Sequence, residues 1–192
     1  FVDNGDKTGV LSGTPTNDAV GTDPFVDFSL VIRATDEADA FVQESFTIRV
    51  NNINDAPVIT GQVDVSTDED VDKVISLDHL LVTDVDDVYP TDFTLNVQNG
   101  LNYTRSGNTI TPALNYSGTL TVPVSISDGD SIKNYSLTVT VDPVNDPPVF
   151  QTAPVLTAKQ GQPYSYTFIA SDVDDATLTY SDDKKPSWVS FS

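Results

Sequence analysis

The strongest constraint on the fold is a repeat. One alternating apolar run ends in "NNINDAPVI" at residues 51–59. Another ends in "PVNDPPVF" at 143–150, so Asp55 and Asp146 stand 91 residues apart. An Asp-rich knot follows each, "TDVDD" at 83–87 and "SDVDD" at 171–175, which puts Asp84 and Asp172 88 residues apart. A third feature precedes each linker: Asp36 in "ATDEAD" lies 19 residues before Asp55, and Asp128 in "SISDGDS" lies 18 before Asp146. Turn aspartates scattered by chance would not keep one order and nearly one phase. The repeat unit has the size of a small β-sandwich.

The residues between these features alternate with a period of two. "TLTVPVSIS" (119–127) puts Leu120, Val122, Val124 and Ile126 on one face, and "YSLTVTV" (135–141) does the same with Tyr135, Leu137, Val139 and Val141. "FTLNV", "SFTIRV", "FSLVIRA" and "YSYTFIA" follow the same rule. Such runs are antiparallel strands with one wet face. Asn99-Gly100 predicts a tight hairpin turn between "TLNVQ" and "LNYT", and Asp128-Gly129 a turn between the last two strands of the middle unit. No segment carries a capped helical period. The fold class is all-β, since many short strands at regular spacing mean a sandwich or barrel. The expected boundaries are 1–55 as the closing part of one domain, 56–146 as a complete one, and 147–192 as the opening part of a third. The outer pieces hold too few strands to bury a core alone.

Charge sets the partner classes. Nine basic residues against 29 acidic ones give a net charge of −20, which excludes a nucleic-acid surface and opposes anionic membranes. Closely spaced carboxylates repel until a cation neutralises them. Part of the charge serves solubility alone. Disorder, the other reading of an acidic chain, is set aside because the alternating runs demand a buried face. With no cysteine there is neither a disulfide frame nor a thiolate metal site. No apolar run approaches the ~20 residues of a membrane helix, so direct membrane insertion is not expected. The chain opens at Phe1 without a leader, as part of something longer would.

"NINDAP" and "PVNDPP", each followed by a D-x-D segment and then an "(S/T)D" before the final strand, resemble cadherin-like repeats, most closely the bacterial kind found in tandem in very large secreted adhesins. "GQPYSYTFIASDVDDATLTYS" and "PSWVSFS" resemble the first half of a dystroglycan-type cadherin-like domain. "FVDNGDKTGVLSGTPTNDAVG" and "ATDEADAFVQESFTIRVNNINDAP" resemble the second half of that type. The resemblance covers essentially the whole chain. It implies tandem Ig-like, seven-strand Greek-key β-sandwiches with Ca²⁺ at the joints between domains, a secreted or bacterial cell-surface location, and neighbouring repeats of the same protein as partners. The family's linker pattern is D-x-N-D. Its first position here is Asn52 at one joint and Pro143 at the other, and this departure implies fewer ions per joint than the family's three. The implied first site is Asn54, Asp55, Asp84, Asp86 and Asp128, with Asp84 and Asp86 converging as residues two apart on a strand do. The second is Asn145, Asp146, Asp172 and Asp174, with Glu69 reaching toward Asp146. Asp36 would serve a preceding joint, and Asp87 and Asp175 are spare carboxylates that could replace a neighbour. Against each Asp singly stands the plain reading that Asn, Asp and Pro make turns. The matched phase of the three features favours the sites.

Enzymatic chemistry is not expected. His79 is the single histidine and reads as a strand or loop surface residue, and the carboxylates sit at joints rather than around a cleft. The sequons at Asn102, Asn115 and Asn134 would matter only in a eukaryotic secretory pathway. Trp188, the one tryptophan, is expected in the core of the third sandwich. The alternative is a sugar-stacking platform beside Tyr180, which would make the chain a carbohydrate-binding module. The leading reading is a calcium-stiffened repeat module of a large surface or secreted adhesin or matrix protein, acting as spacer and interaction module. Phe1 and Phe191 look equivalent across 190 residues. This suggests that the closing half-domain of one copy completes the opening half-domain of another; the simpler alternative is a stretch taken from a continuous array.

Overall fold

The computed structural model describes residues 2–5 and 7–191. Phe1, and with it the proposed equivalence to Phe191, lies outside them. Residues 2–51 carry a short antiparallel pair, β1 (Val2–Asp3) and β2 (Gly9–Val10), a 3-10 turn at Asn17–Ala19, and a long hairpin of β3 (Phe25–Thr35) and β4 (Phe41–Asn51). The middle unit runs β5 (Val58–Gln62), β6 (Ser66–Asp68), β7 (Lys73–Val74), a 3-10 turn at Leu77–His79, then β8 (Leu80–Thr83) and β9 (Thr94–Val97). It continues with β10 (Tyr103–Ser106), β11 (Thr109–Pro112), β12 (Gly118–Ser127) and β13 (Ile132–Asp142). Then come β14 (Val149–Phe150) and β15 (Ala170–Ser171).

The middle unit is a β-sandwich. One sheet has the order β6-β13-β12-β9; facing it lie β10-β11-β7 and the pair β5-β8. Alternation explains the core. Leu120 pairs with Val139, Val122 with Leu137 and Val124 with Tyr135 across β12–β13. Leu120, Val122, Val124, Ile126, Leu137, Val139 and Val141 are all buried, as are Phe93 and Val97 at β9 beside them, against Ile75, Leu80, Tyr103 and Ile110 from the opposite side. The Asp128-Gly129 turn forms as expected: Ser127 pairs with Ile132, and Gly129 takes a φ of +110°.

Asn99-Gly100 does not make a hairpin. β9 pairs with β12 and β10 with β11, so this segment crosses between the sheets. Glycine is needed at 100 for closeness, since a Cβ there would stand 2.6 Å from the Tyr103 ring.

β13 would present a bare edge beyond β6, and a side chain closes it. The Gln62 amide donates to Thr138 O at 2.9 Å and accepts the Thr138 N–H at 2.8 Å, as a neighbouring strand would.

The outer segments differ from the middle in burial. The clustered core lies wholly within residues 65–141. In 164–170, Tyr164, Tyr166, Phe168 and Ala170 alternate with more exposed neighbours, but a strand forms only at Ala170–Ser171. A ladder needs a partner along its length, and β14 supplies one for two residues. Trp188 departs from its expected core position: it is 65 % exposed, edge-on to Tyr164 with ring centroids 6.0 Å apart. Among the described residues no helix is long and apolar enough to cross a membrane.

Candidate metal centre

Three stretches distant in sequence meet at the leading end of the middle sandwich: the linker 52–55, the loop after β8, and the β12–β13 turn. The loop after β8 is not strand. β8 ends at Thr83, and Asp84 folds the chain back by accepting the backbone N–H groups of Asp86 (2.9 Å) and Asp87 (3.1 Å) through Oδ1. Asp128 does the same in its own turn, accepting from Asp130 (2.9 Å) and Ser131 (2.6 Å). Short acidic side chains stabilise turns in this way.

The bend changes which carboxylates converge. Asp84 and Asp86 were expected side by side on a strand, yet here Asp84, Asp87 and Asp128 bring oxygens within 4.8 Å of one another. Asp87, expected to be spare, is the third member. Asp86 turns to the linker instead and is 8 % exposed. It accepts the Asn52 amide at 2.9 Å and the Asp55 backbone N–H at 2.5 Å. Asp55 points its carboxylate the other way, to the Asn17 amide at 2.5 Å. Asp55 therefore joins the 3-10 turn of the first segment to the loop of the sandwich. Asn54 lies at the edge of the cluster, donating to Asp128 Oδ2 (3.2 Å) and Ser131 Oγ (3.3 Å).

Electrostatics mark the cluster as short of positive charge. Burial raises the Asp87 carboxyl, and the charges of Asp84, Asp128, Asp92 and Asp86 raise it further. Burial also acts to raise Asp128, but hydrogen bonds from Ser131 N–H, the Asn54 amide and Asp130 N–H outweigh it and hold the group low. The two shifts oppose each other with pH. Asp128 contributes stability above its unfolded pKa, and this is lost as pH falls through its depressed folded value. Asp87 binds its proton more readily folded than unfolded, so its strain is relieved as pH falls through the raised value.

These residues fit a hard cation. Ca²⁺ takes 6–8 oxygen ligands with carboxylates prominent, and three carboxylates already face one another. Asp84 Oδ2 is buried and accepts no hydrogen bond, a costly state for a carboxylate oxygen unless something positive meets it. The ligands would be Asp84, Asp87 and Asp128, with Asn54 beside them.

The second joint repeats the scaffold. Asp172 Oδ1 accepts from Asp174 and Asp175, both at 2.9 Å, and Asp174 accepts the Asp146 N–H at 2.6 Å. These are the bonds of Asp84 and Asp86 again. Asn145 folds its amide onto Asp146 O at 3.0 Å. Among the described residues no third carboxylate closes on this pair as Asp128 does on the first. Glu69 reaches the linker at Val144: it is 5 % exposed and accepts the Val144 N–H at 2.6 Å. Asp36 lies apart from both joints, capping its own turn through the Ala38 and Ala40 N–H groups at 2.9 Å each.

His79 is a turn residue, half-buried rather than on the surface. Its Nδ1 accepts the Ser76 N–H at 3.1 Å, and burial, then Lys73, lowers its pKa against the opposing pull of Asp78. Asn17 and Ser131 carry no sequence signal that marks them for the joint. Asp87 does, as the last residue of "DVDD", once β8 is seen to stop at Thr83.

The chain is similar in part to two solved structures. "Protocadherin Gamma B2 extracellular cadherin domains 1-5" is 21 % identical with a TM-score of 0.44, over 66 % of this chain and 27 % of that one. "Protocadherin gammaB7 EC3-6 cis-dimer structure" is 18 % identical with a TM-score of 0.39, over 77 % and 39 %. The chain thus spans well under half the length of either. No curated protein matches the sequence. Residues 53–142, the linker at the first joint together with the whole β5–β13 sandwich, match the cadherin-like domain family.

Proposed function

We propose that the chain is a calcium-stiffened repeat module of a large extracellular adhesin or matrix protein on a bacterial surface. It acts as a spacer between neighbouring repeats. One observation carries this reading. A buried, unpartnered Asp84 oxygen sits in a three-carboxylate cluster, and the cluster adjoins a linker already hydrogen-bonded to both flanking units. When bound, calcium would supply the positive charge that the cluster lacks. The protein's own residues do the rest: Asp86 fixes the linker backbone, Asn17 holds Asp55 from the preceding segment, and Asp84 and Asp128 shape the loops. Extracellular calcium sites bind with Kd of about 10⁻⁴–10⁻³ M. At ten to a hundred times that Kd, one site stabilises the fold by roughly 1.4–2.7 kcal/mol.

The test is a calcium titration of the full chain, by calorimetry and thermal unfolding, beside Asp87→Asn. Wild type should bind and unfold at a higher temperature in calcium than in chelator. In chelator, Asp87→Asn should be the more stable protein, because it removes a carboxylate strained by burial and by its acidic neighbours. In calcium the order should reverse, with affinity lower by tenfold or more; loss of groups merely supporting a metal ligand typically costs ~10–100-fold. A chain that neither binds nor responds to millimolar calcium refutes the reading.

Carbohydrate binding is the second reading, and the exposure of Trp188 beside Tyr164 is what favours it. It predicts that soluble polysaccharides quench the single tryptophan's fluorescence saturably. An unchanged spectrum removes it.

A further inference from the structure

Residues 76–79 read Ser-Leu-Asp-His. The spacing is that of a capping box, in which a Ser or Thr is followed three residues on by a Glu or Gln whose side chain accepts the N–H of the first residue. Here the accepting side chain belongs to a histidine. His79 Nδ1 accepts the Ser76 N–H at 3.1 Å, and the His79 N–H returns to Ser76 O at 3.2 Å. Glu and Gln keep an accepting oxygen at any pH near neutrality. An imidazole keeps an accepting nitrogen only while it is neutral, because both ring nitrogens of the cation are donors. The bond therefore fixes the ring as neutral, with its proton on Nε2. Turning the ring over offers no escape, since that puts a carbon where the acceptor was.

The turn is a junction. It is flanked by Ile75 and Leu80, which are 1 % and 3 % exposed. His79 O accepts the Val63 N–H at 3.1 Å, tying the turn to the end of β5. β8 begins at Leu80, ends at Thr83 and delivers Asp84. On the other side, Leu77 O accepts the Tyr89 hydroxyl, and Tyr89 lies edge-on to Phe93 with ring centroids 5.2 Å apart. One turn thus braces the loop 84–87 from both ends, through β8 before it and through Tyr89 after it.

We propose that His79 is a pH-sensitive latch: its neutral ring locks the 77–79 turn and braces the loop that carries Asp84 and Asp87, and its protonated ring releases both. Protonation sets an Nδ1–H against the Ser76 N–H, so a hydrogen bond becomes a meeting of two donors in a half-buried place. Burial opposes protonation most, Lys73 on β7 opposes it too, and Asp78 in the turn favours it; the balance holds the ring below its ordinary range. Val63, the contact from the end of β5, is uncharged. Tyr89, pushed up to about 12 by burial and then by Asp78, stays neutral throughout.

The sign follows from linkage. A group with a lowered folded pKa adds stability above its unfolded value, ~6.5 for histidine, and that stability is lost as pH falls through the folded value. The window opens just below neutrality. The chain has one histidine and no cysteine, so no other side chain ordinarily titrates there. The latch itself needs no cation. Its consequence for calcium, a joint that loosens as the medium acidifies, rests on the metal site proposed above.

His79→Gln decides the matter, because it restores the ordinary capping box with an acceptor that does not titrate. Carboxylates, Asp87 among them, are common to both proteins and cancel in the comparison. In chelator at about pH 7.5, with the ring neutral, the two should be equally stable. As pH falls, wild type should lose more stability than the variant. Below both pKa values of the ring, the extra loss is tenfold in the folding equilibrium constant for each unit between them, and the ring's own NMR titration supplies that interval. Amide exchange at Asp86 and Asp87, whose N–H groups Asp84 holds, should lose protection over the same window in wild type alone. Parallel pH profiles, whether coincident or offset by a constant, overturn the latch. So does a folded wild-type ring that titrates at or above ~6.5, a result that needs no variant. In calcium, the two proteins should bind alike near neutrality, and wild type should bind more weakly in acid. Equal affinities in acid overturn the link between turn and joint. A chain that binds calcium at neither pH removes the metal site, and the chelator comparison still decides the latch.

Discussion

Leu137→Ala is expected to destabilise the β5–β13 sandwich by about 2–5 kcal/mol. Leu137 is fully buried in the middle of β13, opposite Val122. Truncation removes its transfer free energy and leaves a cavity that two hydrogen-bonded sheets cannot collapse to fill. Phe46→Ala is the control, because Phe46 occupies the corresponding position in β4. Phe46 is half-buried and lies outside the clustered core, so its loss should change the main unfolding transition by no more than ~0.5 kcal/mol. Chemical denaturation of both variants, followed by circular dichroism, measures the difference. Equal losses would mean that the core is not confined to the middle unit.

Asp84→Ala should have the second largest effect, and in two separable parts. Asp84 Oδ1 holds the N–H groups of Asp86 and Asp87; removing such a side-chain acceptor typically costs ~1 kcal/mol. This loss should appear in chelator. In calcium the further 1.4–2.7 kcal/mol or so of ion-linked stabilisation should vanish as well. Asp84→Asn divides the two. Its side-chain oxygen still accepts from the loop, so stability in chelator should stay near wild type while the calcium response is lost. Thermal scans of the three proteins, each with and without calcium, check this. Parallel behaviour of the two variants in both buffers would reduce Asp84 to a turn former.

Strict alternation made residues 119–127 and 135–141 readable, because β12 and β13 each bury one face and the period maps directly onto burial. The positions of Asp84 and Asp128 were readable from the repeat. Asp87 was read as a spare in place of Asp86 because period two was carried past the strand: it holds only while the backbone stays extended, and Asp84 ends the strand by accepting the N–H groups of Asp86 and Asp87. Asn99-Gly100 misled for a related reason. The dipeptide announces a reversal, but a crossover between sheets reverses the chain as well as a hairpin does. The segment 164–170 shows the limit from the other side. Its alternation is present in the burial pattern, yet hydrogen-bonded strand requires a neighbour that sequence periodicity alone does not supply. The partnership of Asn17 with Asp55 spans 38 residues and no local pattern encodes it.

The parallel pairing of β6 with β13 governs how the sandwich answers a pull. Tension arriving through the two linkers drags the leading strands one way and β13 the other, along their common axis. The bonds between Ser66–Asp68 and Thr140–Asp142 are then sheared together rather than peeled one at a time. Glu69, gripping Val144 just past β13, lies on the same line of force. Such a unit holds its length up to a threshold and then gives way abruptly.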